Sequence, residues 1–163
     1  MAYSDELTGI GGWMMLFLFG FGFVSPITLV YGTTTNLYGD PGVATLLGDR
    51  WLAFQIAEWM IVGFGLATIA TIVWRLFNIQ NWRTVRLTTF AIPFVALGLA
   101  LLDIAVTAVV GNMAVGPLFS ALGIELVRGA IYSVIWCSYF NVSKRVRNTF
   151  ADQAPDEAAL VFE

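Results

Sequence analysis

The 163-residue chain is long enough for one domain, and 58% of it is hydrophobic while only 12% is charged, against about 25% charge in ordinary soluble domains. That imbalance points to a lipid bilayer as the first partner, and a net charge of −3 with no broad basic face argues against nucleic acid. One cysteine and no histidine exclude an internal disulfide and the usual zinc and haem ligand sets, so no cofactor is expected and only a carboxylate-bound cation stays open.

The chain starts MAYSDELTG, with Asp5 and Glu6 where a secretory signal would carry positive charge, so the first apolar run is expected to be a retained helix. A helix crossing a hydrocarbon core of about 30 Å needs roughly 20 apolar residues. Four segments qualify: about 10–31, which has no charge; 51–74, with Glu58; 87–110, with Asp103; and 118–140, with Glu125 and Arg128. None has the wet face that a soluble bundle helix requires. The expected fold is therefore all-α, a single four-helix transmembrane bundle over residues 1–150 followed by a mobile acidic tail over 151–163. Pro26 and Pro93 are placed to kink their helices and free carbonyls. Gly63, Gly65 and Ala67 permit close helix contact, and Cys137 reads as a packed thiol.

The connections differ in character. Residues 33–50 (TTTNLYGDPGVATLLGDR) read as an external loop, 77–86 as a short basic turn and 111–117 as a tight neutral hairpin, with Pro117 opening the fourth helix. Arg75, Arg83, Arg86, Lys144, Arg145 and Arg147 fall on one side of the bundle, and only Arg50 falls on the other. The positive-inside rule then puts both termini in the cytoplasm. Trp13, Trp74, Trp82, Trp136 and Tyr139 are expected near the cytoplasmic interface, and Tyr31, Tyr38 and Trp51 near the opposite one. Lys144, Arg145 and Arg147 read as a headgroup anchor, with Val146 and Phe150 holding an apolar face on the membrane surface. Docking of a cytoplasmic partner there is the alternative. The glycosylation sequon at Asn141-Val142-Ser143 lies on the predicted cytoplasmic side and reads as chance.

Depth is the informative coordinate for the intramembrane charges. Glu58 lies seven residues past Trp51, Asp103 seven before Val110, and Glu125 seven past Leu118. At about 1.5 Å per residue, all three carboxylates sit roughly 10 Å below one boundary, with Arg128 at about 15 Å. A lone charge at the centre of a helix costs about 2.5–3.5 kcal/mol on insertion scales, so these groups are expected to meet. Glu125 and Arg128, at i and i+3, can pair, and Arg128 has donors for a second carboxylate from Glu58 or Asp103. Three carboxylates around one guanidinium imply that at least one holds a proton at neutral pH. Thr107 and Tyr132 are placed to complete the polar network.

This layer has two readings: a structural clasp that fixes helix register, or a site for a proton, a cation or a polar ligand. They lead to two functional expectations. The first is a non-enzymatic accessory or interaction subunit, with a membrane-protein partner or a second copy. The alternative is a small transporter or proton-linked channel using Glu58, Asp103, Glu125 and Arg128. An enzyme ranks below both, because no catalytic nucleophile, phosphate loop or metalloprotease motif stands beside the carboxylates.

Two stretches carry a family resemblance. One is TGIGGWMMLFLFGFGFVSPI, a Gly12-Trp13 opening that closes on Ser25-Pro26; the other is IWCSYFNVSKRVRNTF, from Ile135 to Phe150. Together, over about residues 9–150, they resemble the bacterial membrane family catalogued as domain of unknown function 2569. Its closing signature matches Ile135, Trp136, Tyr139, Phe140, Ser143, Arg145, Val146, Asn148, Thr149 and Phe150. The resemblance implies four helices in a bacterial inner membrane and an acidic residue in the second, which Glu58 matches; it implies no activity. Cys137-Ser138 stands where the family pattern has Ile-Pro, so the fourth helix is expected to end differently here.

Overall fold

The structure, a computed structural model, describes residues 9–112 and 114–150. The acidic tail expected to be mobile lies outside the described residues. Six helices follow in order: α1 (Trp13–Tyr38), α2 (Pro41–Leu47), α3 (Trp51–Asn78), α4 (Trp82–Val110), α5 (Val115–Val142) and α6 (Lys144–Thr149). Among the described residues, three stretches are long and apolar enough to cross a membrane: α1, the continuous Pro41–Asn78 stretch containing α3, and α4. The 28 residues of α5 carry Glu125 and Arg128.

Local chemistry sets several helix starts. Asp40 caps α2 by accepting from the Gly42 amide at 2.8 Å, with Pro41 in the first turn. Asn81 caps α4 by accepting from the Thr84 amide at 3.0 Å. Ser143 separates α5 from α6 and caps the latter through the Val146 amide.

The segment 33–50 is not the external loop expected from its composition. Helix α1 continues through the threonine run to Tyr38, where the Thr34 and Thr35 hydroxyls donate to the Val30 and Tyr31 carbonyls one turn back. Helix α2 and a 3₁₀ turn (Gly48–Arg50) complete the segment. Leu37, Leu47 and Phe54 bury one another, so local apolar packing outweighs the Gly/Pro content. The connection between α3 and α4 narrows to residues 79–81.

Both prolines distort their helices without ending them. A π-helical turn (Gly20–Val24) precedes Pro26, and another (Phe94–Gly98) follows Pro93. Proline has no amide hydrogen, so the carbonyl four residues earlier loses its helical donor. For Pro93 that carbonyl belongs to Thr89, and the Cys137 thiol of α5 donates to it at 3.4 Å. In α1 the Ser25 hydroxyl donates to the Gly20 carbonyl at 3.1 Å.

Helix α3 packs against α1 and α4, and α4 packs against α5. Rings close the circuit at one end, where Phe17 of α1 meets Trp136 and Phe140 of α5 with centroids 5.1 and 4.9 Å apart. The first and last described segments meet there: the Gly9 amide donates to the Thr149 hydroxyl at 2.9 Å, bridging the two motif-bearing stretches. Gly9 and Gly12 adopt φ of 80° and 57°, a region that L side chains rarely enter. We call this the terminal end and the opposite one the distal end.

One surface expectation needs correction. Val146 and Phe150 do not lie on a membrane surface; both are fully buried against Met14, Phe17 and Phe140. Of the tryptophans expected near the cytoplasmic interface, Trp136 packs into this core, while Trp13 and Trp74 are exposed. In each case an aromatic or apolar partner from the other end of the chain covers the side chain, which a linear reading of depth does not register.

Candidate functional site

Above the terminal-end aromatic core, α1, α3, α4 and α5 enclose an open cavity of about 480 Å³. Phe21 belongs to that core and forms part of the cavity wall. A second cavity of about 290 Å³ lies on the distal side and shares Asn36, Glu58 and Asp103 with the first. Both π-helical turns border the larger cavity, contributing Phe21 from α1 and Val95 and Ala96 from α4. Such turns recur at functional sites because they re-aim side chains without breaking the helix.

The buried stripe of α3 runs Phe54, Glu58, Val62, Gly65, Ile69, Ile72, Leu76. Its spacing of three and four residues faces the bundle interior, and Glu58 occupies a position otherwise held by apolar or small groups. The side chain is 6% exposed. Asp103 comes from α4, and the two carboxyl groups are close enough to share a hydrogen bond when one holds a proton. One oxygen of Glu58, Oε1, is buried without a partner. The Thr107 hydroxyl approaches Asp103 Oδ1 at 3.4 Å.

From α5, Arg128 pairs with Glu125 at 2.8 Å, as the i, i+3 spacing predicts. Their side chains are 70% and 59% exposed, so the pair sits at the cavity rim. The second carboxylate expected on Arg128 is not there: among the described residues the guanidinium bridges to Glu125 alone. The neighbouring Tyr132 hydroxyl is buried and also has no partner, so it does not complete the network. Glu58, Asp103, Glu125 and Arg128 line one cavity, but as two subsites, an inner pair of buried Glu58 with half-buried Asp103 and a rim Glu125–Arg128 pair.

Lys144, Arg145 and Arg147 line neither cavity. They belong to α6 at the terminal end, where the Arg145 guanidinium lies over Gly11. Among the described residues no three carboxylate or thiol groups converge as metal ligands.

The sequence reading missed the contribution of α1. Ser25, Thr28, Thr33 and Asn36 line the larger cavity. The Ser25 and Thr28 hydroxyls donate to backbone carbonyls. Steps of three, five and three residues keep these four on one helical face. That periodicity was the available signal, hidden once the threonine run had been read as a loop.

Residues 7–151 match the sequence profile of the family described as Protein of unknown function (DUF2569), and the chain belongs to that family. No curated protein and no solved structure matches it.

Proposed function

We propose that this member of the family is a multi-pass protein of a bacterial inner membrane that binds a small charged solute in the cavity between its helices. In this reading α1, α3, α4 and α5 are the four spans, and the terminal end is cytoplasmic. At about 1.5 Å per residue, α5 is roughly 42 Å long, ample for a hydrocarbon core. Its Ile124, Val127, Ile131, Val134 and Ile135 are exposed, as lipid contact would require. The positive charges near the α3–α4 turn and on α6 support the orientation.

One observation favours solute handling over a structural clasp. A clasp would be closed and mutually satisfied, whereas Glu58 lines an open cavity together with Arg128 and its buried Oε1 has no hydrogen-bond partner. The protein is proposed to be non-enzymatic: its work is to bind the solute, and to move it if the cavity alternates in access.

Vesicles reconstituted with the protein and loaded with a pH indicator test this reading. An outside pool of amines, amino acids and carboxylates should elicit proton or solute flux in the wild type, and Glu58→Gln and Arg128→Gln should abolish it. Flux equal to that of protein-free vesicles would return the accessory reading. That second reading has its own support, because a partner helix or second copy would cover both the exposed Glu125–Arg128 pair and the apolar face beside it.

A further inference from the structure

Resting on the solute-binding reading, we infer that the larger cavity takes a primary ammonium group carried on a compact apolar body, with Glu58 as its counter-ion. The charges of the two subsites set the sign. Among the described residues Arg128 bridges to Glu125 alone, so the Glu58–Asp103 pair meets no cation of the protein. An anionic solute at that depth would face two carboxyl groups with no donor between them.

The unpartnered atoms set the hydrogen-bonding pattern. Glu58, more than nine-tenths buried, and Tyr132 both line the larger cavity, and each keeps a buried oxygen, Glu58 Oε1 and the Tyr132 hydroxyl, without a hydrogen-bond partner. Buried polar groups are rarely left without partners in a complete site. A primary ammonium has three donors, and Glu58, Asp103 and Tyr132 are the acceptor-bearing residues that this wall offers it.

Size and wall chemistry identify the remainder of the ligand. At about 480 Å³ the space is far larger than an inorganic ion requires, and it falls in the range of about 300–1,000 Å³ typical of small-molecule sites. Phe21, Leu29 and Ile61 line it along with the carboxyl-bearing residues, so an apolar body finds apolar contacts there that an inorganic ion would leave unused. Among the described residues no metal-ligand cluster competes for the position.

Calorimetric titration of the full chain in lipid nanodiscs, corrected against empty nanodiscs, tests the inference with three probes of one shape: 2-phenylethylammonium, 2-phenylethanol and 3-phenylpropanoate. The ammonium should bind at least about tenfold tighter than the alcohol, as charge-assisted hydrogen bonds predict, and the carboxylate should bind weakest. Glu58→Gln should bring the ammonium to within about twofold of the alcohol. If the alcohol or the carboxylate binds as tightly as the ammonium, the cation inference is overturned and solute binding stands. If none of the three binds, both fall. Unchanged ammonium affinity in a folded Glu58→Gln protein would also overturn the assignment. Should that variant not fold, the wild-type ranking of the three probes still decides.

Discussion

The Cys137 thiol of α5 donates to the Thr89 carbonyl of α4 at 3.4 Å, supplying the hydrogen bond that Pro93 withholds from it. A proline in one helix thereby creates an acceptor for the next, and the contact ties α4 to α5 one turn before the π-helical segment at the cavity wall. Cys137→Ala should lower stability in detergent by about 0.5–1.5 kcal/mol, the net worth of one buried hydrogen bond, while Cys137→Ser retains most of it. In a Pro93→Ala background the Thr89 carbonyl regains its helical donor, so the cost of Cys137→Ala should shrink. Equal costs in both backgrounds, measured as a double-mutant cycle by thermal unfolding, would separate the thiol from the proline.

Glycine 12 is constrained by its backbone. It holds φ 57° and ψ −128° as the residue that caps α1. A Cβ there meets no neighbouring atom within 4 Å, so the expected cost of Gly12→Ala is conformational, about 1–3 kcal/mol. Gly20→Ala is the control: it is helical, with φ −63°, and its Cβ also meets open space. It should be neutral or stabilising in the same unfolding assay.

Glycine 129 is constrained by contact. A Cβ at this position would strike the Ala96 carbonyl in the π-helical turn of α4. Gly129→Ala should force α5 away from the cavity wall and cost about 1–3 kcal/mol. Gly123→Ala, two turns earlier on α5 and facing open space, should cost nothing. Comparing the two variants by unfolding in micelles separates helix contact from helix propensity.

Because Phe150 is fully buried in the terminal-end core, Phe150→Ala should destabilise the fold by about 3–5 kcal/mol. Lys144, exposed on the same short helix, should tolerate alanine with a change within about 0.5 kcal/mol. A Phe150→Ala protein with wild-type stability would restore the membrane-surface placement of α6 suggested by its charge pattern.

The sequence carried the helical class and the membrane-crossing character, because runs of about 20 apolar residues have few alternatives. Counting from helix ends also put Glu58, Asp103 and Glu125 in one layer, and the structure has all three lining one cavity. Azimuth was harder to read. Depth alone does not distinguish Glu58, inside the buried stripe of α3, from Glu125, which is exposed at the cavity rim. The burial of Val146 and Phe150 depends on residues near the start of the chain, a relationship with no local signal. The helicity of residues 33–38 was hidden by β-branched threonines, whose low propensity is outweighed by the packing of Leu37 against Leu47 and Phe54.

In the proposed function, charged side chains of separate helices surround a space open to water and solute inside the bilayer. Thiol labelling tests it most directly. In a Cys137→Ser background, Ala100→Cys puts a thiol on the cavity wall and Ala105→Cys puts one on the exposed side of the same helix. A small cationic thiosulfonate reagent applied to membrane vesicles should label position 100 at least about tenfold faster, because its thiolate needs water that the lipid-facing site lacks. Equal rates at the two positions, or no reaction at position 100 in folded protein, would contradict the account.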